Sequence, residues 1–127
     1  MRIFKTKLFN GWAKDIRLSD DAIRTAAQEI AAGNYEASLG KKVYKKRIAI
    51  GNKGKSGSTR NIVAYQAGNH VFFMYGFAKG EKANISPKEK IAFQKIAENY
   101  YTYTNKALAI AVKEKKLFEV LEVENNG

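Results

Sequence analysis

Lys45, Arg47, Arg60 and Lys79, with Lys53 and Lys55 between them in the chain, are residues whose types suit gripping a phosphate and stabilising charge that develops on it. Lys53 and Lys55 sit in the glycine-rich run Gly51 to Ser58, GNKGKSGS. Arg60 opens the stretch that follows, and Lys79 closes the next, HVFFMYGFAK. A guanidinium grips a phosphate through two parallel N–H groups, and an ammonium adds a point charge. Gathered around one phosphate, such groups stabilise the charge that builds up when phosphorus is attacked. A lysine crowded by other cations also gives up its proton more readily, so part of it can act as a base. Lys79 or Lys82 could assist a leaving oxygen. Lys45, Lys46 and Arg47, on the stretch before the loop, join Lys53 and Lys82 as candidate phosphate ligands. Tyr65 and Tyr75 are candidates to stack on a base or to hydrogen-bond it, while Tyr44, Phe73 and Phe77 fit a core better.

The charge distribution points to the same place. The chain carries 23 Lys and Arg against 12 Asp and Glu, a net charge of +11. Eight of these cations (Lys41, Lys42, Lys45, Lys46, Arg47, Lys53, Lys55 and Arg60) fall within one stretch that contains no acid. A local cluster of this kind suits a polyphosphate backbone, or an acidic protein that covers it. The Gly-Lys-Ser triplet is not a nucleotide-binding P-loop, because the glycine spacing is wrong and the run leads towards a strand rather than a helix. His70 stands at a turn, a poor place for a lone catalytic histidine. Cysteine is absent and histidine occurs once, so neither a thiolate site nor a histidine-rich metal site is expected. The N-terminus lacks the apolar core of a secretion signal, and Val71 to Ala78 is too short to span a bilayer. A soluble, cytoplasmic protein is the expectation.

Elements must carry these residues. Arg2 to Lys5 reads as a short strand, and Lys7 to Ile16 as a helix with Leu8, Phe9 and Trp12 at helical spacing. Ser19 reads as the N-cap of a second helix, with Ile23, Ala26, Ala27 and Ile30 on one face and Gly33 as the stop. Asn34 to Gly40 reads as a loop. Val43 to Ile50, Thr59 to Ala67 and His70 to Lys79 read as three strands joined by short turns, hence antiparallel. Alternation places Lys45 and Arg47 on one side of the first of these and Tyr44, Lys46, Ile48 and Ile50 on the other. Ser86-Pro87-Lys88-Glu89 is a capping box with proline at the first helical position, opening a helix to about Tyr101. Thr104 caps a further helix to Lys113, and Leu117 to Val123 reads as a last strand. The expectation is one domain over residues 1–127, of α+β class, with a central antiparallel sheet and helices packed on it.

Tyr44-Lys45-Lys46-Arg47, Gly54-Lys55-Ser56-Gly57, Arg60, Gly76-Phe77-Ala78-Lys79 and Asn84-Ile85 occur in this order. The ordered set resembles the RelE/HigB-like toxins of bacterial type II toxin–antitoxin systems, within the RelE/ParE superfamily. The resemblance implies a RelE-like fold and a toxin neutralised by a separate antitoxin. It implies entry into the ribosomal A site and cleavage of messenger RNA by 2′-hydroxyl attack, with no metal or other cofactor. Catalytic roles would fall on Lys53 or Lys55, Arg60 and Lys79, with Lys45 and Arg47 on the adjoining strand. The subgroup has Gly and an aromatic residue where this chain has Ser58 and Thr59, so one stacking ring is missing. Two alternatives stand beside the nuclease: a non-nuclease toxin that binds DNA gyrase, and a basic RNA- or DNA-binding module without catalysis.

Overall fold

The computed structural model describes residues 1–50 and 57–121. Thr6, Ser19, Ser86 and Thr104 each turn a side-chain oxygen onto the backbone of a first helical turn. They thereby start α1 (Lys7–Asp15), α2 (Asp20–Ala31), α3 (Pro87–Tyr101) and α4 (Asn105–Lys113). Glu89 completes the expected capping box with Ser86, and Gly33 follows α2 in the left-handed region, at φ +87°. Apolar, β-branched and aromatic residues form β1 (Ile3–Thr6), β3 (Val43–Ala49), β4 (Ser58–Tyr65), β5 (Val71–Ala78) and β6 (Leu117–Val120). A two-residue strand, β2 (Ala37–Ser38), lies where a loop was expected. Among the described residues, no helix is long and apolar enough to cross a membrane.

The strands form one sheet in the order β2-β3-β4-β5-β1-β6. The β3-β4-β5 meander is antiparallel as expected. The sheet as a whole is mixed, because β1 runs parallel to β5 and antiparallel to β6. Burial explains where β1 goes. Ile3 belongs to the core under α1 and α2, Phe4 to the core under α3 and α4, so both faces of β1 must be covered. An interior position between β5 and β6 meets that requirement. The fold is therefore α+β, with a six-stranded mixed sheet between two helical layers.

Two local features shape the end of β5. The register of β4 and β5 shifts between Ile62 and Val63, so Ile62 faces Tyr75 while Val63 faces Phe73. The extra residue, Met74, resets the alternation and turns Tyr75 and Phe77 towards the α3/α4 core. Gly76 then faces α1, where the Trp12 ring lies so close that an added Cβ would come within 2.1 Å of it. Only glycine lets this helix and strand approach so closely.

Candidate functional site

Arg60 and Arg47 are direct partners across β4 and β3. Residues opposite one another in an antiparallel pair share a face, so two guanidinium groups crowd one patch. Arg60 is only 5% exposed. A buried cation of this kind needs a counter-charge, and Glu36 supplies it. Its Oε2 lies 2.8 Å from Arg60 Nε, while its Oε1 lies 3.8 Å from Arg47 Nη2. Arg60 Nη1 also donates to Ser58 Oγ at 3.1 Å and to the Thr59 carbonyl at 3.4 Å. Arg47, with 61% of its side chain exposed, is the accessible partner. A cleft of about 500 Å³ runs beside Arg47 and Glu36 at the sheet edge, bordered also by Tyr35 and Ala49 and, from the α2 side, by Glu29, Asn34 and Lys46; Arg60 is not in its lining.

Arg60 also faces Phe77 on β5, and Thr59 faces Ala78. Lys79 follows directly, exposed in the turn after β5, at the end of the sheet that carries Arg60. The Ile50 amide donates to the Gly57 carbonyl at 2.7 Å, so the segment that joins β3 to β4 also starts and finishes at this end. Lys53 and Lys55, expected as a phosphate ligand and a catalytic group, lie in that segment, outside the described residues. Lys45, half-buried, lies on the same side of β3 as Arg47 by alternation.

Other expected residues stand apart. Lys46 is buried against α2 on the opposite face, its ammonium 3.0 Å from the Asn34 carbonyl and 3.3 Å from Glu29. Tyr65 packs on the α1/α2 core at the far end of β4, opposite Val71. It lies five residues further along the strand from Arg60, about 17 Å at the usual rise. His70 is also at that far end, where its Nδ1 accepts from the Arg2 amide at 3.3 Å. Thr59 is fully buried and donates to the Ile48 carbonyl at 2.8 Å, on the α2 side. A ring at position 59 would therefore enter that core and not the face of Arg60.

Tyr75 does share the face of Arg60. Its ring stacks on Phe93, with centroids 5.4 Å apart, and Lys82 Nζ sits 5.2 Å from its centre. Lys82 also contacts the Glu89 carboxylate at 2.6 Å. The hydrogen bond to Glu89 raises the Lys82 pKa, so the group is a fixed positive charge and a reluctant proton donor. Glu89 is correspondingly held below its ordinary value, by Lys82 first and the Ser86 backbone second.

Glu36 is the residue that sequence reasoning missed. It precedes a strand too short to show any period. The one available signal was indirect: opposing Arg47 and Arg60 across two paired strands leaves a repulsion that calls for a nearby carboxylate.

The sheet is thus flanked by two helical layers and carries opposed arginines at one end. The chain matches the family model described as "RelE toxin of RelE / RelB toxin-antitoxin system" over residues 1–120. The chain belongs to this toxin family, whose members pair with antitoxins and are generally endoribonucleases that inhibit translation. No curated protein matches it.

Proposed function

We propose that this chain is a ribosome-dependent endoribonuclease that cuts messenger RNA, works in the cytoplasm, and is restrained by its antitoxin. The observation that carries the reading is the pairing of Arg47 with Arg60 at the end of the sheet that also bears Lys79. In the proposed reaction the ribose 2′-oxygen bonds to the adjacent phosphorus and the bond from phosphorus to the 5′-oxygen breaks. A base takes the 2′-hydroxyl proton, and an acid protonates the departing oxygen. The products are a 2′,3′-cyclic phosphate and a 5′-hydroxyl. Arg60 stabilises the charge on the pentavalent phosphorus, Arg47 and Lys45 hold flanking phosphates, and Lys79 stands by the leaving oxygen. Lys55 is the candidate base, with Lys53 beside it; Tyr75 and Lys82 border the same face.

The burial of Arg60 favours a second reading, a basic RNA-binding module in which Arg60 serves the fold. Brief induction followed by mapping of transcript ends separates the two. Cuts inside translated codons that leave 5′-hydroxyl ends, and that vanish in Arg60→Ala, support the nuclease. Intact messages with salt-sensitive RNA binding support the module, and intact messages with DNA damage support gyrase binding.

A further inference from the structure

We infer that Glu36 is a positioning residue of the nuclease site, holding Arg60 in the orientation that meets the scissile phosphate. This inference rests on the nuclease reading above. Three observations carry it. First, the carboxylate touches Arg60 at Nε, the inner nitrogen, at 2.8 Å. The ion pair thus holds the guanidinium at its inner nitrogen, while the outer nitrogen Nη1 is held separately. Ser58 fixes Nη1 in turn, at 3.1 Å.

Second, Glu36 is itself anchored. Its amide donates to the Lys45 carbonyl at 2.8 Å, and the next two residues form β2 against β3. The turn beyond β2 is strained at Lys41 and Lys42, both at positive φ after Gly40. Helix α3 braces that turn, through Gln94 Nε2 on the Leu39 carbonyl at 2.8 Å and the Tyr101 hydroxyl on the Lys42 carbonyl at 2.6 Å. Strained backbone persists only where its surroundings hold it in place. Here the held segment delivers one side chain, Glu36, to the arginine pair.

Third, Glu36 is shared. Its second oxygen lies 3.8 Å from Arg47, so one carboxylate offsets the repulsion between two arginines that would otherwise push each other out of register. With Arg60 buried and Arg47 exposed, the pair offers one enclosed and one accessible cation to a polyphosphate.

The test is a double-mutant cycle on ribosome-dependent cleavage, with folding of each variant followed by thermal denaturation. Glu36→Gln lowers kcat about a hundredfold with KM little changed, the cost of a misplaced group of about 1 Å. In an Arg60→Ala background the same change costs nothing further, because there is no guanidinium left to hold. An equal loss in both backgrounds overturns the inference, since Glu36 would then act without Arg60, for instance as a base. Faster cleavage by Glu36→Gln also overturns it, since the carboxylate would then compete with the phosphate. The ¹⁵Nε signal of Arg60 gives a readout apart from activity, and Glu36→Gln must shift it. A wild-type protein that cuts no message sinks the nuclease reading and the role with it. An Arg60 signal insensitive to Glu36 sinks the inference alone.

Discussion

Two arginine–carboxylate pairs occupy opposite ends of the sheet and are built differently. Arg2 meets Glu119 as a fork, Nε to one oxygen and Nη2 to the other, both at 2.8 Å. Its guanidinium also lies 4.9 Å from the centre of the Phe4 ring. Arg60 meets Glu36 at Nε, with no fork of hydrogen bonds, and that carboxylate is shared with Arg47. Arg2 bonds the Val71 amide through its carbonyl, and Arg60 faces Phe77, six residues further along β5, about 20 Å away. A fork satisfies both partners and clips β1 to β6. A single contact at the inner nitrogen, with two cations for one anion, leaves positive charge for another ligand. The same residue types thus close one end of the sheet and leave the other with an excess of positive charge.

The largest expected effect breaks this contrast if it fails. Arg60→Ala lowers ribosome-dependent cleavage by about 10²–10³, the usual cost of losing one preorganised charge donor. Arg2→Ala leaves cleavage intact and costs about 0.2–1 kcal/mol of stability, as a partly exposed pair should. Growth arrest after induction, together with denaturant unfolding, checks both. Full arrest by a folded Arg60→Ala protein would make both ends structural.

A second pair of variants sharpens the contrast within one strand. Lys46 and Arg47 are adjacent, yet Lys46 is buried against α2 and Arg47 is exposed beside Glu36. Lys46→Ala leaves the Asn34 carbonyl without its ammonium and costs about 1–3 kcal/mol, with the salt dependence of RNA binding unchanged. Arg47→Ala changes stability by less than about 0.5 kcal/mol and lowers the salt slope by about one. Chemical denaturation and binding measured across a salt series read these out. A change in the salt slope for Lys46→Ala would put Lys46 back among the phosphate ligands.

These contrasts mark what could be read from the amino-acid order. Ser19, Ser86-Pro87-Lys88-Glu89 and Thr104 announced their helices because caps are local. Alternation in Val43 to Ile50 already grouped Lys46 with Ile48, and so with the core side, even though its charge suggested a phosphate. The parallel pairing of β1 with β5 left no local trace, since it joins residues nearly seventy apart, such as Ile3 and Val71. Glu36 was hidden for the same reason: β2 has no period, and the partner that gives Glu36 meaning lies on another strand. The local composition announced a basic face, but the counter-charge that organises it comes from a long-range contact.

The smallest effect concerns pH and belongs to the Arg2 end. His70 Nδ1 accepts from the Arg2 amide, and the ring meets Phe4 edge-on at 5.9 Å. Burial first, and the Arg2 charge second, lower the His70 pKa from its ordinary 6.5, while Glu119 pulls weakly the other way. The folded protein therefore holds the histidine proton less tightly than the unfolded chain does. Stability is fully present above pH 6.5 and declines as the pH falls through the lowered value, because protonation removes the acceptor that Arg2 uses. Glu119 behaves in the same sense at lower pH. The Arg2 hydrogen bond holds its carboxyl below the ordinary 4.5, so its contribution is lost on further acidification. His70→Asn keeps an acceptor without a titrating group, and should flatten the decline just below pH 6.5 while sparing the loss at lower pH. Thermal denaturation across a pH series measures this. An unchanged slope in His70→Asn would show that the acid sensitivity of this end lies with the Arg2–Glu119 fork alone.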